Sequence, residues 1–297
     1  MSDRLLTIGI STRALFDLDY ENEIFINEGP QAYVDYMVDH ENDVIKKGPA
    51  FGLIQALLEL NNSCGKPICE VIVISQNSAD SSLRIFNSIS NYGLDITRAC
   101  LTTGASIVPY LSAYGVDLYL STNENDVCKA TMAGIASATV LDSPKELGSG
   151  KSQIRIAFDG DCVLFNNESE IIFQKEGLEA FGNHERSQAL IPLKKGPFAN
   201  LLSVISQIQN QFGDVANSPI RTALVTARCA PAHERVIRTF RLWGVRIDEA
   251  HFLGGLDKTA VLKAFGAHIF FDDNDDNIKA ASTVVLAAKV PNFLKAI

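Results

Sequence analysis

Residues Arg155 to Phe165 read RIAFDGDCVLF. Ile154, Ile156, Ala157 and Phe158 make an apolar run of buried-strand length, and it ends abruptly in Asp159-Gly160-Asp161. Such a strand delivers two carboxylates to the edge of a sheet, and open α/β sheets bind ligands outside the carboxyl ends of their strands. Asp-Gly is also turn chemistry. The rest of the chain has to decide between a reactive edge and a plain turn.

The chain is written twice, which is the most informative feature around this stretch. Under a shift of 148, Ile8 to Pro49 lies over Ile156 to Pro197 without a gap; Ile24-Phe25 falls on Ile172-Phe173, and Lys46-Lys47-Gly48-Pro49 on Lys194-Lys195-Gly196-Pro197. Further on the shift becomes 151, with VIVISQNSAD over TALVTARCAP, Tyr92-Gly93 over Trp243-Gly244 and Gly104 over Gly255. The polar, glycine-rich stretch from Lys145 to Gln153, KELGSGKSQ, reads as the linker between the copies. Residues 1–147 and 151–297 are therefore expected to form two domains, each near the common domain size.

Short Val/Ile/Leu-rich strands (LTIGI, VIVIS and VDLYLS, then IRIAF, TALVT and HIFFDD) alternate with helical patterns over 50–60, 81–92, 198–211 and 231–243. The fold class expected is α/β, with two tandem Rossmann-like parallel sheets covered by helices on both faces. With 297 residues, 46% of them apolar, both halves can bury proper cores. The net charge of −9 argues against a sequence-independent nucleic-acid surface. No stretch approaches the roughly 20 apolar residues of a membrane span, and MSDRLLTIGIS is too short in apolar residues for a signal peptide. Six cysteines without a CxxC pair signal neither zinc nor a disulfide framework, so a cytoplasmic location is expected. Cys162 and Cys229 read as small apolar fillers.

The duplication is an internal control. Where the second copy has Asp159 and Asp161, the first has Ser11 and Arg13; Lys258 is answered by Ile107, Asp272-Asp273 by Ser121-Thr122, and Thr226 by Ser75. A scaffold that needed these charges would carry them in both copies. All four sites of the second copy follow apolar runs and converge on one sheet edge. Together they supply a nucleophile, a proton donor, donors for phosphoryl oxygens and carboxylates that only a hard cation such as Mg²⁺ would reconcile.

The order of DxDxV, hydroxyl, lysine and acidic pair resembles the haloacid dehalogenase superfamily. FDGDCVLFNNESE, LVTARCAP, the segment before Lys258 and HIFFDDN resemble the cytosolic 5′-nucleotidase type I family more narrowly, and the resemblance runs on into the first copy through STRALF, GPAF and LRIFNSI. It implies that Asp159 attacks phosphorus and that Asp161 protonates the leaving oxygen and later activates water. Thr226 and Lys258 would hold the phosphoryl oxygens. The Asp159 carboxylate, the Asp161 carbonyl and the pair Asp272-Asp273 would hold Mg²⁺, with Asp272 the first choice as direct ligand. A small flap over the site is implied between Asn166 and Lys195. The expected reaction is hydrolysis of nucleoside 5′-monophosphates, AMP favoured; the alternatives are another small phosphomonoester, such as a sugar phosphate, or a nucleotide-binding regulator without turnover.

Specificity is less legible. Phe165, Phe173 and Phe181 could stack on a base, although aromatics at this spacing are more often core. Arg228, two residues past Thr226, suits either bidentate binding of phosphate or a surface salt bridge. Lys194 and Lys195 recur in both copies and so belong to the fold. The first copy is read chiefly as a packing partner shaping the nucleoside pocket, and second as an accessory site for a nucleotide effector, because Arg13 makes its edge friendlier to anions. A homo-oligomer is left open.

Overall fold

The computed structural model describes residues 5–141 and 153–292. Of the linker read from the sequence, all but Gln153 lies outside the described residues. The strands are β1 (Leu6–Ile10), β2 (Cys69–Ser75), β3 (Arg98–Leu101), β4 (Leu118–Ser121), β5 (Ala136–Val140), β6 (Ile154–Phe158), β7 (Ile220–Thr226), β8 (Glu249–Phe252), β9 (Ile269–Asp272) and β10 (Leu286–Lys289). They join in one sheet, in the order β3-β2-β1-β4-β5-β10-β9-β6-β7-β8.

Each half thus repeats one winding: its first strand lies between its second and its fourth, and its fifth lies outermost toward the partner half. Within each half the pairings are parallel. The halves meet where β5 runs antiparallel to β10, with Ala288 opposite Val140 and Lys289 opposite Thr139. This single reversal sends the carboxyl ends of β1–β5 to one edge of the sheet and those of β6–β10 to the other. The first copy's own former site edge, with Arg13, Ser75 and Asn77, therefore faces away from Asp159. The two halves nevertheless pack on one another through a shared hydrophobic cluster, as the packing role favoured from sequence expects.

Strand alternation sorts the core by face. Ile8 and Ile10, Val71 and Val73, Ile156 and Phe158, and Ile269 and Phe271 point to one side, where a single hydrophobic cluster spans both halves. Their neighbours in the strands supply two separate clusters on the opposite side, one for each half. Helices cover both faces. The four expected from periodicity are found at Phe51–Ser63, Leu83–Asn91, Ala199–Asn210 and His233–Trp243.

The shared Lys-Lys-Gly-Pro stretch has a structural cause. A Cβ on Gly48 would overlap the Phe16 backbone, and one on Gly196 the Phe165 backbone. Lys47 and Lys195 lie over the matched aromatics Tyr92 and Trp243, with Nζ 5.6 and 6.0 Å from the ring centroids.

The segment after the first strand of each half, where the sequence implied only a flap in the second, is helical in both. Helices Asp19–Glu28 and Pro30–Asp39 are divided by Gly29, and Glu168–Ser187 breaks at Gly177. These two glycines are partners under the 148-residue shift. Their backbones (φ 95°, ψ 174° and φ 83°, ψ −177°) lie in a region essentially reserved for glycine.

Candidate active site

β6 carries the chain to the sheet edge, and the Asp159 amide donates to the Phe271 carbonyl at 2.8 Å, fixing the first acid beside β9. A tight irregular turn over Gly160–Leu164 follows. Within it Asp161 is extended (φ −70°, ψ 141°), and Cys162 is left-handed (φ 62°), a conformation uncommon for a residue with a side chain. Gly160 sits in a crowded place: a Cβ there would lie 3.2 Å from Thr226 Oγ1 and 3.3 Å from the Phe165 ring. Asp-Gly-Asp is thus a sharp turn that places both acids at the sheet edge. Burial, and then the carboxylates around it, Asp273 first, push the Cys162 thiol pKa up.

Thr226 closes β7, and its Oγ1 accepts from the Arg228 amide at 3.3 Å. Lys258 precedes the helix Thr259–Phe265, and its Nζ donates to Asp159 Oδ1 and Asp272 Oδ2, both at 2.7 Å. Asp272 ends β9, fully buried; its Oδ1 accepts from the Asn274 amide at 2.8 Å and its Oδ2 from Asn277 Nδ2 at 3.0 Å. Asp273 accepts from Asn292.

Carboxylate oxygens of Asp159, Asp272 and Asp273 all lie within 4.8 Å of one another. Three acids thus face one lysine. Burial pushes Asp159 up to about 8, with Lys258 opposing the rise and Asp272 adding to it. Burial and then Asp272 push Asp273 up to about 6. For Lys258, burial works against the charge, but Asp159 and Asp272 outweigh it and raise the pKa, so the ammonium persists. An oxygen-only donor set with excess negative charge fits a hard divalent cation.

Arg228 does not sit in a surface salt bridge. It is 3% exposed and spans two acids: Nε and Nη2 donate to Asp161 Oδ2 and Oδ1, both at 2.7 Å, and Nη1 to Glu185 Oε2 at 2.5 Å. Burial disfavours its charge, but Asp161 and Glu185 more than offset this. Glu185, in the flap helix and fully buried, also accepts from Arg235 Nη1 at 2.9 Å and Ser169 Oγ at 2.8 Å. Phe165 is fully buried against Phe240 and Trp243, so it is a core residue with no face open to a base. Phe173 and Phe181 meet edge to face in the flap, with Arg228 over the Phe181 ring.

Sequence reasoning missed Glu185, Arg235, Asn274, Asn277 and Asn292. Asn274 had a signal: it caps the helix Asp275–Ala281, as its 151-shift partner Asn123 caps Glu124–Met132. Glu185 had none, because a glutamate in a polar helix reads as solvated until its burial is known.

At the opposite edge, Ser11, Arg13, Ser75, Asn77, Ser121 and Thr122 help line a cavity of about 430 Å³, walled by Phe25 and Tyr33. Arg13 there binds Asn22 and Asp19, each at 3.0 Å.

Comparison with known proteins agrees with this geometry. A family model described as 5′-nucleotidase matches residues 1–296. Human cytosolic 5′-nucleotidase 1B is 37% identical over 286 residues, covering 93% of this chain and 47% of that protein, so the chain spans about half the length of this relative. No solved structure matches.

Proposed function

This chain belongs to the 5′-nucleotidase family, and from that premise we propose that it hydrolyses nucleoside 5′-monophosphates to nucleoside and phosphate in a Mg²⁺-dependent reaction, with AMP the leading substrate. The observation that carries the reading is the group of buried Asp159, Asp272 and Lys258 with half-buried Asp273 at one sheet edge, in the copy that has these acids. We further propose residues 151–297 as the catalytic unit and 1–147 as its counterpart without the catalytic acids.

In this reading an Asp159 carboxylate oxygen attacks phosphorus, and the bond from phosphorus to the 5′-oxygen breaks. Asp161 gives its proton to that oxygen, because an alkoxide is a poor leaving group. Asp161 then takes a proton from water, whose oxygen attacks phosphorus and releases phosphate and free Asp159. Thr226 and Lys258 hold the phosphoryl oxygens, and Lys258 shields Asp159. Asp159, the Asp161 carbonyl and Asp272 would hold Mg²⁺, with Asp273 as a ligand or just behind. When bound, the ion supplies positive charge for the carboxylates and the phosphoryl oxygens. The position of the acid two residues after the nucleophile favours phosphatase chemistry over other reactions built on the same fold.

A phosphate-release panel over nucleotides and sugar phosphates, with and without Mg²⁺, tests the proposal. Rapid release from AMP that depends on Mg²⁺ is expected. Equal rates on sugar phosphates would replace the nucleotidase reading with a broader phosphatase. No turnover with any substrate would leave a nucleotide-binding regulator.

The cavity of the first half is the place we propose for a nucleotide effector. Nucleotide binding to an Asp159→Asn protein that is unchanged by Arg13→Ala would contradict it. We also propose a cytosolic location, as the relative's name states for that protein; no described helix is long and apolar enough to cross a membrane.

A further inference from the structure

We propose that Glu185 is a positioning residue for phosphoryl transfer: from the flap helix it fixes the Arg228 guanidinium, which in turn holds the Asp161 carboxylate in place. The inference rests on the nucleotidase reading above, in which Asp161 is the proton donor. The chain of contacts is continuous and buried up to its Asp161 end, since Glu185, Arg228 and Arg235 are 0, 3 and 3% exposed. Each Glu185 oxygen is occupied, Oε2 by Arg228 and Oε1 by Arg235 and Ser169. Arg228 uses a two-pronged grip on Asp161, which fixes the plane of the carboxylate as well as its place. With its third donor tied to Glu185, the guanidinium is held as a strut rather than left free to follow a phosphate.

The duplication separates this device from ordinary fold chemistry. Arg235 has the counterpart Arg84 in the first copy, which is also buried and also paired with a glutamate, Glu21, at 2.7 Å. A buried arginine with an acidic partner is thus common to both halves. The acid, however, stands elsewhere. Under the 148-residue shift Glu21 corresponds to Ser169, while Glu185 corresponds to Met37. Either position satisfies the shared arginine. In the half with Asp161, the acid stands at the position from which it also touches Arg228. In the other half, Arg228 is replaced by Asn77, which donates to the Tyr33 hydroxyl at 3.0 Å, and Asp161 by Arg13. Asp161, Arg228 and Glu185 occur together or not at all.

The test transplants the first copy's arrangement. Ser169→Glu combined with Glu185→Met returns an acidic partner to Arg235 but leaves Arg228 unanchored; Arg228→Lys keeps the charge and removes the two-pronged grip. Turnover is compared on AMP, whose alkoxide needs a proton, and on p-nitrophenyl phosphate, whose leaving oxygen is stable as an anion. The double variant is expected to keep a thermal midpoint near that of the parent while kcat on AMP falls roughly 10-fold or more relative to kcat on the aryl ester, with KM for AMP within about twofold. Arg228→Lys should show the same split, so the proposal stays testable if one variant fails to fold. Equal losses on the two esters, no loss, or a loss confined to KM would overturn it. The last outcome would make Arg228 a phosphate-binding group. An inactive parent protein would remove the nucleotidase reading and this inference together, whereas an active parent with indifferent variants removes this inference alone.

Discussion

Asp159 is held between opposing demands. In the proposed reaction it must be ionised to attack phosphorus, yet burial raises its pKa to about 8 and Lys258 compensates only in part. Asp273 is raised to about 6 by burial and Asp272. Both values lie above the ~3.9 of an unfolded aspartate, so across that interval the folded chain binds more protons than the unfolded one. This site's contribution to stability therefore falls as pH rises from about 4 through 6 to 8, because burial outweighs the Lys258 ion pair. A cation that requires ionised ligands reverses the trend. The rise in thermal midpoint given by saturating Mg²⁺ is expected to grow between about pH 5 and pH 8. An equal rise at both ends would mean that these carboxylates are not the ligands.

The flap helix Glu168–Ser187 is the element that links site to scaffold, because Ser169 and Glu185 face the buried arginines while its middle is broken at Gly177. The break is a backbone requirement, with no atom within 4 Å of a Cβ built at Gly177. Gly177→Ala is thus a test of conformation without a clash. It should cost about 1–3 kcal/mol, measured by urea unfolding, and turnover should fall with it as Glu185 loses its register. Unchanged stability would show that the break is not needed. The recurrence of the same backbone at Gly29 makes the broken flap a property of the repeat, present even where Asp159 and Asp161 have no acidic counterparts.

At the scale of the molecule, the antiparallel seam between β5 and β10 is short, but one hydrophobic cluster crosses it. Residues from both halves bury one another's apolar face, so unfolding in urea should be a single transition whether followed at Trp243 in the second half or by far-UV circular dichroism. Two separated transitions would show that the halves fold independently.

The repeat and strand periods made much of this fold legible: the first, second and fourth strands of each half, four of the helices and the convergence of the second copy's charges could all be read from the chain. The seam could not, because antiparallel pairing of two short apolar strands leaves no mark in a pattern that is otherwise parallel. Residues at the ends of apolar runs, such as Asp159 and Asp272, announced themselves. Glu185 and Phe165 did not, since a buried glutamate and a core phenylalanine look in sequence like a solvated acid and an exposed ring.

The covalent phosphoenzyme proposed at the edge of β6 can be trapped by quenching the protein in acid during turnover of AMP with Mg²⁺ and mapping phosphate by mass spectrometry. An acyl phosphate on Asp159, absent from Asp159→Asn, is expected. Phosphate on another residue, or an Asp159→Asn protein that turns over at the parent rate, would contradict it.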